Sequence, residues 1–160
     1  MTFNNSKTII SQRIKLFAAT VLFLAFIVLT YVAKIIPYPL FGMSETAWTL
    51  ILTAIYFLIL LYPTLLNYQY VSYSDDGDKI VVRYFSSGIL GGRKNSIEIG
   101  KKSLSGYRVE SKLFGLKQSL TLFQKLKEGV AKYPPVYISA LSREEKEKIL
   151  ISLNKHAPKA

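Results

Sequence analysis

Residues 16–33 read LFAATVLFLAFIVLTYVA, 18 positions without a charge. A helix rises about 1.5 Å per residue, so roughly 20 apolar residues carry it across about 30 Å of hydrocarbon. The run is close to that length, and Lys34 can snorkel to the interface and extend the usable span. A second run, 47–66 (AWTLILTAIYFLILLYPTLL), is equally dense, with Trp48 near one end and Tyr62 and Tyr68 near the other. Those aromatics are placed as interfacial anchors. Pro63 falls near the end of this run, where its missing N–H kinks or stops a helix instead of breaking it at mid-membrane. Between residues 16 and 69 only Lys34 and Glu45 are charged. The sequence therefore predicts a transmembrane hairpin over 15–66, with helices at 15–36 and 46–66.

Two soluble readings fit less well. A signal peptide would explain Lys7, Arg13 and Lys15, but its apolar core would be shorter, and cleavage after Ala33 would meet bulky Tyr31 where a small residue is needed. A buried hairpin would have to be wrapped by the 94 residues after Leu66, too few for two helices apolar all round. Lys7, Arg13 and Lys15 precede the first span, whereas the connector 37–45 (PYPLFGMSE) has no Lys or Arg. The positive-inside rule then predicts both termini in the cytoplasm. The absence of cysteine agrees with a reducing compartment.

Residues 70–160 hold 17 Lys or Arg against 9 Asp or Glu, a net of +8 out of the chain's +11. A basic domain tethered under an anionic leaflet is drawn to it by about 1 kcal/mol per basic residue near the surface. Nucleic acid ranks below lipid as a partner, because the tether supplies an acidic surface at high effective concentration and no nucleic-acid motif is present.

Within this part the apolar period becomes two, the mark of half-buried strands. Strands are predicted at 68–74, 79–86, 96–100, 107–111, 119–125 and 135–139, with Asp76-Gly77 as a two-residue turn between the first pair. A helix over 143–155 follows. Its start is explicit, since Ser142 and Glu145 form a capping box, and Ile149, Leu150 and Leu153 form an apolar stripe facing the sheet.

The two spans, the meander around GYRVESKLFGLKQSLTLF and the terminal YPPVYISALSREEKEKIL resemble the bacterial pleckstrin-homology-like (PH-like) domain proteins of the membrane-anchored kind, over about 68–154. The resemblance implies a bent antiparallel sheet or partly open barrel of about six to seven strands closed by a C-terminal helix, an α+β fold. It also implies a bacterial cytoplasmic membrane and no enzymatic activity. The limits expected are a basic tail 1–14, the hairpin 15–66, a PH-like domain 67–156 and a tail 157–160. One departure matters. Phosphoinositide-binding members hold the headgroup with Lys and Arg near the first hairpin turn, which here is Ser74-Asp75-Asp76-Gly77-Asp78 and would repel a polyphosphate.

Other chemistry is not encoded. The stretch 88–94 (GILGGRK) lacks the glycine at 93 and the Ser or Thr at 95 that a P-loop needs. Asp75, Asp76 and Asp78 lack calcium-loop spacing. His156 is the only histidine, so neither a multi-His zinc site nor a His-based triad can be built. No catalytic residue, metal or cofactor is predicted. Thr49 and Thr53 share one face of the second helix, where bonding to their own backbone is the commoner outcome.

The function expected is a non-enzymatic interaction module meeting anionic lipid or a partner protein; the alternative is an accessory subunit of a larger membrane complex. If the strands alternate up and down from the membrane, loops 88–94 and 112–117 return to it. The interface residues expected there are Ile89, Leu90, Arg93 and Lys94, then Lys112, Phe114 and Lys117. The competing expectation for Leu113 and Leu116 is that they close the barrel core.

Overall fold

The computed structural model describes residues 1–87 and 92–157. It forms two compact units, Ile10–Pro63 and the combination of Met1–Ile9 with Thr64–Ala160.

Helix α1 (Ser6–Ile27) continues into a π-helical turn, Val28–Val32, and helix α2 spans Glu45–Leu65. At 27 and 21 residues the two helices are long and apolar enough to cross a membrane, about 40 Å and 31 Å at 1.5 Å per residue. Phe17, Leu22, Leu50 and Leu58 are among many large apolar side chains they leave exposed.

The second helix begins and ends one residue before the predicted limits. The first is displaced further: it starts at Ser6, not at residue 15, and stops at Val32, not at residue 36. At its start the Ser6 N–H donates to Asn4 Oδ1 at 3.1 Å, an Asx turn that leads into the helix. At the other end the Ala33 N–H bonds the carbonyl of Val28, five residues back, and Lys34 takes φ 52°. Ile36 precedes Pro37, which disfavours the helical region for it, so the helix has to finish earlier.

Within this unit Phe23 stacks on Tyr56 at 4.7 Å, and the Thr20 and Tyr56 hydroxyls lie 3.2 Å apart. Thr49 donates to its own backbone at Glu45 O, 2.9 Å, which leaves its oxygen to accept from the Tyr31 hydroxyl at 2.8 Å. Self-satisfaction and a cross-helix bond are therefore combined in one residue.

The second unit consists of two antiparallel sheets and one helix. The first sheet has the order β1 (Thr2–Asn4), β2 (Gln69–Ser74), β3 (Lys79–Ser86), β4 (Asn95–Gly100). The second joins β5 (Leu104–Lys112), β6 (Lys117–Leu126) and β7 (Gly129–Lys132), with β8 (Val136–Tyr137) also paired to β6. Alternation places Val71, Tyr73, Ile80, Val82, Ile97, Ile99, Leu120 and Leu122 in a common core. Helix α3 (Arg143–Asn154) covers it with Ile149 and Leu153, and Leu150 is partly buried against the same cluster. The capping box is present: Ser142 accepts from the Glu145 N–H, and the Glu145 carboxylate accepts from the Ser142 N–H at 2.8 Å.

Three features differ from the sequence reading. Thr2–Asn4 is not tail but an edge strand, with Thr2 opposite Ser74 and Asn4 opposite Ser72. Asn5 is buried and extends the pairing by side chain, donating to the Gln69 carbonyl at 2.9 Å and accepting from the Val71 N–H at 2.8 Å. Strand β7 has no turn signal before it, since Lys127 and Glu128 make the connection and the required backbone freedom comes one residue later at Gly129, φ 150°. Lastly, Ser74 pairs with Val81 where a two-residue Asp76-Gly77 turn would have paired it with Lys79. The shift is even, so every side chain keeps its face.

Candidate functional site

The β5–β6 hairpin carries the sequence-predicted residues Lys112, Phe114 and Lys117. Its strands pair up to Lys112 opposite Lys117, leaving residues 113–116 (LFGL) as the connection. Leu113, Phe114 and Gly115 all take positive φ, 52°, 54° and 91°. For bulky L residues that region costs energy, and such strain persists only where the surroundings impose it. The result is exposure: Leu113 and Leu116 are each 54% accessible and Phe114 is fully so. The expectation that Leu113 and Leu116 close the core does not hold.

Behind this tip lies a polar cleft of about 210 Å³ on the solvent face of the second sheet. Strand alternation builds it. Glu110 and Lys112 come from β5, Lys117, Ser119 and Thr121 from successive outward positions of β6, Lys132 from β7, and Pro135 and Tyr137 from the β8 segment. Register brings Lys112 opposite Lys117 and Glu110 opposite Ser119. Like charges directly opposite are unfavourable, yet among the described residues Lys112, Lys117 and Lys132 form no ion pair. Lys117 Nζ instead stands 5.3 Å above the Tyr137 ring, and 2.9 Å from the Asn67 amide when that amide is oriented to suit both of its neighbours. Thr121 is 4% exposed, and its hydroxyl has no hydrogen-bond partner among the described residues.

This end of the unit is also where the chain arrives from α2. Asn67 lies two residues beyond Leu65, and Gln69 Oε1 accepts from the Tyr137 N–H at 2.9 Å. Ser87, which begins the connection after β3, donates its N–H to the Tyr68 carbonyl at 3.0 Å.

Of the other predicted interface residues, Ile89 and Leu90 lie outside the described residues. Arg93 and Lys94 are exposed. Lys94 lines a different cleft, of about 390 Å³, with Tyr70, Arg83 and Phe85, and is not brought together with the hairpin lysines. Gly92 is needed where it stands, because a Cβ would come within 2.8 Å of Ser86 Cβ. The sequence reading missed Ser119, Thr121, Lys132 and Tyr137. Alternation along 117–121 (KQSLT) carried a signal for the first two, whereas Lys132 and Tyr137 arrive through β7 and β8 pairings that no local pattern announces.

The opposite end of the unit holds the other charge cluster, around Asp75. Its carboxylate is only 12% exposed, with the Lys101 ammonium 2.6 Å from Oδ1 and His156 Nε2 at 3.5 Å. Oδ1 makes no aligned hydrogen bond, so the Lys101 contact is one of charge. Oδ2 accepts from the Ser152 hydroxyl, and Ser152 Oγ lies 2.8 Å from the Tyr73 hydroxyl. Burial acts to raise the Asp75 pKa, but the adjacent Lys101 ammonium, the Ser152 hydroxyl bond and the charge of His156 outweigh it, holding the carboxyl below its ordinary value. Tyr73 is pushed up to about 12, mainly by burial, with Ser152 opposing and Asp75 assisting. The groups here satisfy one another, which is the pattern of a structural clasp.

No protein-family model, no curated protein and no solved structure matches this chain.

Proposed function

We propose that the chain is a non-enzymatic, membrane-anchored interaction module of PH-like type that meets anionic lipid at the cytoplasmic face of a bacterial inner membrane. The observation that carries this reading is the β5–β6 tip. Leu113, Phe114 and Leu116 are exposed on a strained turn, flanked by Lys112 and Lys117, at the end of the domain nearest to Leu65. Apolar residues that enter the headgroup region beside cations that meet anionic lipid are the composition an interface selects. Pairing of β1 with β2 supports the topology, because residues before α1 and after α2 share one sheet and so belong on one side of the bilayer. Their side is the cytoplasm by the count of Lys7, Arg13 and Lys15 against none in the connector. Antiparallel strands capped by α3 support the PH-like assignment.

The chain has no cysteine, so single cysteines report cleanly. In whole cells an impermeant thiol reagent should label Ser44→Cys and leave Ser103→Cys untouched; labelling at 103 overturns the orientation. For the tip, the full chain is placed in nanodiscs with a polarity-sensitive probe at Phe114→Cys, and at Glu128→Cys as a control on the other hairpin. Brominated lipids should quench the probe at 114 and spare that at 128, more so with anionic lipid present. Equal quenching at the two positions sinks the lipid-facing role.

A further inference from the structure

We infer that the cleft behind the tip is a binding site for the phosphate monoester of an anionic lipid headgroup. Exposed tip residues would drive general attraction to an anionic surface, but they do not account for the cleft. Lys112, Lys117 and Lys132 line it together with Glu110, a local charge of +2. A phosphate monoester carries about −1.5 to −2 at neutral pH, whereas a phosphodiester carries one charge and presents two free oxygens instead of three. The charge of the cleft matches the monoester.

The neutral groups point the same way. Ser119, Thr121 and Tyr137 add hydroxyls to the lining. Among these Thr121 is decisive, because it is 96% removed from solvent and its hydroxyl is unpartnered among the described residues. Asp75 Oδ1 is the buried side-chain oxygen without a partner among the described residues, so the Thr121 hydroxyl is open to the cleft and available to an acceptor there. A phosphate oxygen at the floor of the cleft supplies one, accepting from Thr121 while the lysines meet the remaining oxygens as charge-assisted donors. Lys112 and Lys117 are register partners and form no ion pair among the described residues, and the same anion offsets the repulsion that their opposition creates. The acidic β2–β3 turn plays no part, since its Asp75 is already held by Lys101 and Ser152.

This inference rests on the lipid-facing reading and adds the ligand class. Its test uses the full chain in uncharged maltoside micelles at low salt, titrated with three probes: dihexanoyl phosphatidate, dihexanoyl phosphatidylglycerol and glycerol phosphate. Phosphatidate should bind at least about tenfold more tightly than the diester, given the doubled charge and the extra acceptor. Thr121→Val and Lys132→Gln should each weaken phosphatidate by about five- to tenfold, as expected for loss of one donor to a charged group. Thr121→Ser, which keeps the hydroxyl, should retain affinity, and so covers the case in which the valine variant folds poorly. Ile151→Ser, on the exposed side of α3 and not part of the cleft lining, should stay within about twofold.

Equal affinity for monoester and diester overturns the proposal. So does undiminished phosphatidate binding in both Thr121→Val and Lys132→Gln. If glycerol phosphate binds as tightly as phosphatidate, the lipid source is wrong and the cleft serves a free phosphate monoester. All of these outcomes leave the quenching at Phe114→Cys unchanged, so the failure of this inference is distinguishable from failure of the lipid-facing role.

Discussion

The two ends of the β-rich unit hold charge in opposite ways. Around Asp75 every charge has a counterpart: Lys101 at 2.6 Å, His156 at 3.5 Å and the Ser152 hydroxyl bind one carboxylate that sits between a hairpin turn and the end of α3. Around the β5–β6 hairpin three lysines form no ion pair among the described residues, and the Thr121 hydroxyl beside them is open to the cleft with no hydrogen-bond partner among them. Compensated charge spends its interaction within the fold. Uncompensated charge keeps it for something outside. Counting acidic and basic residues would have ranked the Asp75, Asp76 and Asp78 cluster as the more conspicuous feature; partner accounting reverses that order.

The largest expected effect breaks the clasp. Asp75→Ala leaves the Lys101 ammonium, whose side chain is 24% exposed, without its carboxylate and should cost about 3 kcal/mol, near the lower bound for severing a buried pair. Thermal unfolding of the full chain in detergent measures it. Acidity sharpens the same point with Asp75→Asn. A carboxyl held below its ordinary 3.8 in the folded state contributes stability that is present above that value and is lost as pH falls through the lowered one. The gap between wild type and Asp75→Asn should therefore be constant at neutral pH and shrink below about pH 4; a gap that is unchanged in acid would show that the Asp75 charge contributes nothing.

A middle-sized effect is expected at Tyr73. Tyr73→Phe removes the hydroxyl that meets Ser152 at 2.8 Å, and one such bond contributes about 1 kcal/mol. Because Tyr73 is raised from 10.0 to about 12 in the fold, its contribution is complete below pH 10 and is lost as pH climbs through 12. The phenylalanine variant should lose less stability than wild type over that alkaline window; parallel alkaline curves would refute the burial of a neutral phenol.

The smallest effect on stability belongs to the other end. Lys112→Gln or Lys132→Gln should move unfolding by no more than about 0.5 kcal/mol, and Lys112→Gln, which relieves repulsion with Lys117, by a small gain. A large loss in either variant would place the lysines inside a structural network and erase the contrast between the ends.

Much of this was legible along the chain. Fifty-odd residues with two charges announce the helices, because helix length in a bilayer is a matter of composition and the 1.5 Å rise. The Ser142–Glu145 box announces α3, because capping is local chemistry between residues three apart. Alternation announces the strands and, with Lys112, Phe114 and Lys117 between two of them, the hairpin that carries the candidate site. What the local pattern did not carry was pairing. Thr2–Asn4 reads as tail because three residues have no period, and only its register with Ser72–Ser74 makes it a strand. At the acidic turn, where the register is shifted by two, Asp75 meets Lys101 and Ser152, residues 26 and 77 positions away and invisible to any local pattern.

Composition and period are properties of neighbours in the chain, so the sequence alone determined that two helices suit a membrane and that an antiparallel, helix-capped basic domain follows. Whether a charge is spent or free depends on groups far apart in sequence. Lys112, Lys117, Thr121, Lys132 and Tyr137 share a cleft only because β5, β6, β7 and β8 pair in one register. Tertiary structure decided that, among the described residues, three lysines there form no ion pair while Asp75 has its own, since Coulomb and hydrogen-bond energies act over ångströms of space and not along the chain.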